Sequence, residues 1–286
     1  MRKSTRLANR LFYQSTTHLL CLLAALFGSV NALAAKSIDY TLIGSYPHQP
    51  ALFTQGLELY QGRLYESSGL YGHSKIVSRA FPPKPEDSIT GTVLPSNLFA
   101  EGLSLYRGKL YILTWRAGKG LVVDPHHFTL LGVFNYEGQG WGLCASIHKE
   151  RGDYLVMSNG SDQLQWFDAN TLTLSHTLSV SDNGAPVDQL NELECRGDYI
   201  IANQWHKQHL LIIHALTGEV FAKVDLSALA LDAAQSTTLD PEAVLNGVAY
   251  DPDDDSWLVT GKLWPKIYRI KFDLDKLSAS PRAAAR

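Results

Sequence analysis

Between residues 54 and 264, short runs of alternating apolar and polar residues recur in pairs, each pair joined by a tight-turn signature. Five segments share this outline: TQGLELYQGRLYESSG (54–69), AEGLSLYRGKLYILTW (100–115), GWGLCASIHKERGDYLVMSNG (140–160), LNELECRGDYIIANQW (190–205) and LNGVAYDPDDDSWLVTGKLW (245–264). Alternation of period two is the mark of a half-buried strand. Gln61-Gly62, Arg107-Gly108, Arg151-Gly152, Gly197-Asp198 and Asp253 to Ser256 supply the hairpin turns. Gly56, Gly102, Gly142, Glu192 and Gly247 hold equivalent places, spaced by 46, 40, 50 and 55 residues. That irregular period suits one four-stranded propeller blade per repeat. Further strands are expected at LVVD (121–124), LQWFD (164–168) and within LLIIHALTGEVFAKVDL (210–226), and at most a helical turn around Leu226 to Ala234. A sandwich leaves the fivefold repeat unexplained, so the pattern predicts an all-β, five-bladed β-propeller.

Composition changes this picture mainly at the ends. The chain has 286 residues, 45% of them hydrophobic, enough for a sizeable core built as one all-β domain. Arg2, Lys3, Arg6 and Arg10 precede a 12-residue apolar run, Leu19 to Val30, and then Ala32-Leu33-Ala34-Ala35. This reads as a secretory signal over 1–35, cleaved near Ala35 or Lys36. The run falls short of the roughly 20 residues that span a bilayer, so no stable membrane insertion is expected after removal. The expected division is therefore a signal at 1–35, a propeller at 36–277 and a flexible tail at 278–286. Losing four positive charges takes the net charge from −3 to −7, the wrong sign for a nucleic-acid binder. Cys144 and Cys195 then remain; a disulfide in an oxidising compartment and two buried thiols both fit.

The propeller geometry turns the repeat into a prediction about chemistry. Innermost strands run side by side around one axis, so equivalent positions at their starts converge at one end of the channel. The residues just before the shared position are Gln55, Glu101, Trp141, Asn191 and Asn246. The second strands end near Ser67, Trp115, Asn159, Trp205 and Lys262, which are expected to rim the same region. Phe53 and Phe99 lie two residues before Gln55 and Glu101, on the same strand face. A concave site with aromatic walls and a few polar groups is a default ligand pocket. The glycine-rich GQGWG (138–142) opens no helix and lacks the nucleotide fingerprint. The acidic DPDDDSW (251–257) falls on a hairpin turn, as a solvated loop.

The strings HQPALFTQGL (48–57), YESSGLYGHS (65–74), FAEGLSLYRGKLYILTW (99–115), GQGWGL (138–143), MSNGS (157–161), LNELE (190–194), IANQW (201–205) and LNGVAYD with VTGKLWP (245–251, 259–265) occur in one order. Together they resemble the glutamine cyclotransferase family of plant and bacterial type. The resemblance implies intramolecular acyl transfer, in which the α-amine of an N-terminal glutamine attacks its own γ-carboxamide, giving pyroglutamate and ammonia. It assigns Glu101 to proton transfer and Lys262 to the developing oxyanion. Gln55 and Asn191 would orient the substrate, and Trp115, Trp141, Trp205, Phe53 and Phe99 would shape the pocket. It implies no cofactor and no catalytic metal, and peptides or proteins with N-terminal glutamine as partners; the signal implies export to the periplasm or medium, and a monomer is expected. Gln49, Gln139 and Asn159 stand where the family more often has acids. Two other functions fit a polar propeller channel. One is a metal-dependent hydrolase of the lactonase kind using Glu101, Asn191 and Asn246 as ligands. The other is a non-enzymatic periplasmic binding propeller.

Overall fold

The computed structural model describes residues 35–84, 87–235 and 240–274. The signal expected over 1–35 lies outside them except for Ala35, and the tail at 278–286 lies outside them entirely. Five antiparallel sheets of mostly four strands form the ring. Blade 1 runs Thr54–Tyr60, Arg63–Ser68, Lys75–Ala80 and Thr90–Val93; blade 2 runs Ala100–Tyr106, Lys109–Thr114, Lys119–Val123 and Leu130–Asn135. Blade 3 runs Leu143–His148, Gly152–Met157, Gln163–Asp168 and Leu174–Ser179; blade 4 runs Leu190–Arg196, Tyr199–Gln204, His209–His214 and Val220–Asp225. Blade 5 takes three strands from one stretch, Leu245–Asp251, Ser256–Gly261 and Lys266–Lys271. Its fourth strand, Thr41–Pro47, comes from near the other end of the chain and pairs with Lys266–Lys271. The short strand Lys36–Ser37 adds in parallel to the outer edge of blade 4. The turn expected near Leu226 is an eight-residue helix, Ser227–Ala234.

The core is a set of five seams between blades. Tyr65, Ile76 and Leu94 of blade 1 pack on Leu103, Leu110 and Ile112 of blade 2, and Leu113 and Phe134 meet Leu155 and Phe167 at the next seam. Cys144, Val156 and Leu164 pack on Leu193, Ile200 and Leu211; Ile212 and Val224 pack on Trp257 and Val259; Leu258 and Ile267 close on Leu57 and Leu64. A disulfide between Cys144 and Cys195 joins the inner strands of blades 3 and 4, resolving the alternatives left by the sequence.

The inner strands differ from half-buried ones. Ala100–Tyr106 is buried along its whole length. Neighbouring blades cover most of each inner strand, so polar positions such as Ser104 and Glu192 point at partners, not water. Ser104 Oγ donates to Glu58 Oε2 at 3.1 Å from the next blade. Glu192, standing where four repeats have glycine, accepts the Leu57 N–H at 3.3 Å and the Val248 N–H at 2.9 Å, tying blade 4 to blades 1 and 5. The glycines themselves allow close approach: a Cβ on Gly142 would sit 2.0 Å from the Asn191 carbonyl oxygen, and one on Gly102 2.5 Å from the Leu143 nitrogen.

No helix of the described residues is long and apolar enough to cross a membrane.

Candidate active site

At the start of four inner strands the pairing register slips: between Thr54 and Gly56, Ala100 and Leu103, Leu190 and Leu193, and Leu245 and Val248. A bulge re-aims the side chain it displaces, and here the displaced positions hold Gln55, Glu101, Asn191 and Asn246. The re-aimed backbones are fixed blade to blade. Ser67 Oγ donates to the Glu101 carbonyl at 2.5 Å and Ser158 Oγ to the Asn191 carbonyl at 2.6 Å. Asn203 Oδ1 accepts the Gly247 N–H at 2.9 Å, and Asn246 Nδ2 donates to the Thr54 carbonyl at 2.9 Å. Behind Gln55 lies a buried polar set in which Thr54 Oγ1 donates to Glu66 at 2.6 Å and His48 Nε2 lies 3.0 Å from the same carboxylate. Burial alone would raise the Glu66 carboxyl, but the His48 imidazole, with Thr54 and Arg79, brings it below its ordinary value.

These elements surround a cavity of about 280 Å³ lined by Phe53, Gln55, Leu70, Phe99, Glu101, Trp115, Trp141, Asn191, Trp205, Glu242 and Lys262. All nine predicted site residues therefore border one space. Three other residues that the repeat brings to this end of the channel do not line the cavity. Asn246 is fully buried behind Gln55, with Nδ2 also 3.5 Å from Gln55 Oε1. Ser67 is spent on the Glu101 carbonyl. The Asn159 side chain folds onto Ser161, accepting its hydroxyl at 2.6 Å. The trio Glu101, Asn191 and Asn246 of the hydrolase alternative thus does not line a common cavity. Two lining residues, Leu70 and Glu242, escape the repeat logic because they lie in connections rather than at strand starts or ends. Leu70 falls within the string YESSGLYGHS, and Glu242 leaves no sequence signal.

Glu101 is 5% exposed and Gln55 3%, with Gln55 Nε2 3.4 Å from Glu101 Oε1. Burial raises the Glu101 carboxyl well above the ordinary carboxylate range, while the Lys262 ammonium pulls the other way. Burial lowers the Lys262 ammonium, and the Glu101 and Glu242 carboxylates oppose that shift. Burial thus pushes both groups towards their neutral forms while their mutual attraction opposes it, a perturbation typical of proton-transfer sites. Lys262 Nζ lies 4.8 Å from the centre of the Phe53 ring.

The walls are aromatic and orderly. Phe99 packs on Trp115 with centroids 5.4 Å apart, and Trp141 meets Trp205 edge-on at 5.7 Å. Gln139 Oε1 accepts both the Trp115 Nε1–H at 2.6 Å and the Trp141 Nε1–H at 3.1 Å. The uncharged amide of Gln139 thus holds both indoles through its oxygen. Trp205 Nε1 and Asn191 Oδ1, by contrast, are buried without a hydrogen-bond partner. Such orphans cost roughly 1–3 kcal/mol each unless something fills the space between them.

The family model for glutamine cyclotransferase matches residues 16–272. The chain belongs to the glutamine cyclotransferase family. The glutaminyl-peptide cyclotransferase of Arabidopsis thaliana is 33% identical to it over 252 residues, which are 85% of this chain and 74% of that protein. The crystal structure of Myxococcus xanthus glutaminyl cyclase matches at a TM-score of 0.74 and 33% identity, covering 84% of this chain and 98% of the other. Every string that carried the resemblance to the cyclotransferases lies inside the matched span.

Proposed function

We propose that this chain is an exported glutaminyl-peptide cyclotransferase, with Glu101 as its proton-transfer group. The observation that carries the reading is the one cavity lined together by Glu101, Lys262, Gln55, Asn191 and three indoles. An N-terminal glutamine enters side chain first. The indoles and Phe99 confine it in a folded conformation, bringing its free α-amine against its own γ-carbon; holding such an intramolecular pair in line supplies much of the rate. The amine nitrogen attacks that carbon, and the C=O electron pair moves onto oxygen, where Lys262 stabilises the charge. Glu101 takes the proton released by the nitrogen and gives it to the departing amide nitrogen. The C–N bond breaks, ammonia leaves, and the five-membered lactam remains.

Two atoms without protein partners match what this substrate offers. Asn191 Oδ1 can accept an N–H from the substrate amine or carboxamide, and Trp205 Nε1–H can donate to a substrate carbonyl. Gln55, held between Asn246 and Glu101, orients the same groups. Export is supported by the basic and apolar start of the sequence and by the Cys144–Cys195 disulfide, since such bonds persist in oxidising compartments.

The test is direct. Purified protein incubated with a glutamine-initiated peptide yields a product lighter by one ammonia, at a rate that a chelator does not change. Loss of activity on chelation would instead support the metal-dependent hydrolase. Binding of the peptide without turnover would support the non-enzymatic propeller.

A further inference from the structure

Glutamine that is part of a peptide cannot lie wholly inside the cavity, because its carbonyl continues into a second residue that must leave through the mouth. On the blade 1 side of that mouth the chain departs from ordinary backbone. Leu70 has φ of 84°, in the left-handed region that a leucine rarely adopts. It lines the cavity, yet it and its neighbour Tyr71 are 41% and 47% exposed. Isolated exposed apolar residues need no explanation. An adjacent pair held at a strained backbone angle beside a pocket does.

The lip is rigid. The Leu70 carbonyl accepts the His73 N–H at 3.0 Å and the Ser74 hydroxyl at 2.9 Å, and Gly72 N–H donates to the Ser96 carbonyl at 3.0 Å. Ser74 Oγ also accepts the Ala100 N–H at 3.0 Å, which fixes the lip to the residue preceding Glu101. Gly69 lets the lip close down: a Cβ there would lie 2.3 Å from the Phe99 ring and 3.1 Å from Gln55 Nε2. Tyr71 continues the inner wall outwards, its ring 5.4 Å from Phe99 and 6.4 Å from Trp115. Beyond it the Arg116 guanidinium lies 3.7 Å from the centre of the Trp115 ring. Phe99, Trp115 and Tyr71 thus form a continuous aromatic ledge from the pocket wall outwards, with the Arg116 guanidinium over its Trp115 end.

We infer that Leu70 and Tyr71 form a subsite for the side chain of the substrate's second residue and give the enzyme a preference for apolar or aromatic residues there. The inference rests on the cyclotransferase reading and deepens it. The occupant follows from continuity: the ledge begins where the glutamine backbone must emerge. A preformed surface of this kind costs the substrate little ordering, so its contribution falls on binding and not on the chemical step.

The experiment compares Gln-Phe-Ala, Gln-Leu-Ala, Gln-Gly-Ala and Gln-Glu-Ala, with glutaminamide, which has no second side chain, as the report on the reaction alone. Wild-type kcat/KM for the phenylalanine and leucine peptides is expected to exceed that for the glycine peptide by roughly tenfold, the scale of covering one half-exposed apolar side chain. The difference should lie in KM. In Tyr71→Ser, and independently in Leu70→Gly, which also relieves the backbone, the ratio should fall towards one. Equal wild-type kcat/KM for all four peptides overturns the subsite, as does an undiminished preference in a variant that is folded. A loss on glutaminamide as large as on Gln-Phe-Ala would assign Tyr71 to the shape of the inner cavity and also overturn it. No turnover of any compound, glutaminamide included, would refute the cyclotransferase reading itself and the subsite with it.

Discussion

Glu101→Gln changes one atom in the cavity while keeping its shape. The substituted amide oxygen can still accept from Gln55 Nε2, which lies 3.4 Å from the native carboxylate. A neutral amide cannot take a proton from the attacking amine. The expected loss is the full contribution of general acid–base catalysis, about 100- to 10,000-fold in kcat, or about 2.7–5.4 kcal/mol at ~1.36 kcal/mol per decade. Stability should move little. The swap relieves the cost of a buried carboxylate, and it also removes one of the two counter-charges of Lys262. These effects oppose, so a net change within about 1 kcal/mol is expected, or roughly 2–4 °C in midpoint for a domain of this size. Glu101→Asp retracts the carboxylate by one methylene, and displacement by ~1 Å can cost about 100-fold. The assay pairs continuous ammonia release from a glutamine peptide with a thermal melt of the same sample. A folded Glu101→Gln protein with wild-type turnover would refute the proton-transfer role. Activity lost in proportion to unfolded protein would reduce Glu101 to a structural group.

Trp205→Phe keeps a ring and deletes the partnerless N–H. Removing one hydrogen bond to a neutral carbonyl, about 0.5–1.5 kcal/mol, should lower kcat/KM about two- to tenfold with no fall in melting temperature, and an unchanged kcat/KM would leave Trp205 as a wall only. For Lys262→Met the pH–rate profile is decisive. Glu101 must be ionised to act, and Lys262 is the cation that holds its raised carboxyl down, so the acidic limb should move to higher pH as kcat falls; a limb that stays put would show that the two groups do not interact. Reducing the Cys144–Cys195 bond, which spans 51 residues, should destabilise the fold by up to about 4 kcal/mol on the loop-entropy scale. A melt that is the same with and without reductant would refute that contribution.

The repeat made the ring and most of its pocket legible because hairpins are local: Gln61-Gly62 and Arg107-Gly108 announce their strands within a few residues. By the same symmetry, Gln55, Glu101, Trp141 and Asn191 could be placed at one channel end before any coordinates. What stayed hidden was non-local. Thr41–Pro47 has mostly exposed positions and pairs with a strand more than 200 residues away, so no nearby pattern betrays its partner. The bulges at the strand starts are matched by hydrogen bonds from neighbouring blades, which one chain segment cannot express. Ser67 and Asn159 share the spacing of Trp115 and Trp205, yet a hydroxyl and a short amide reach backbone or a neighbouring serine before they reach the cavity. Glu242 is carried by the connection into blade 5, held by a bond from Lys262 N–H to the Val244 carbonyl at 2.9 Å.

The borrowed fourth strand of blade 5 also ties the site to the closing of the ring. Lys262 directly follows a strand of the blade whose edge strand, Thr41–Pro47, comes from more than 200 residues away. Without that blade the cavity lacks the cation that opposes the raised Glu101 carboxyl and the wall that Lys262 and Glu242 supply. A partly assembled ring is therefore expected to be inactive even where its first four blades are formed.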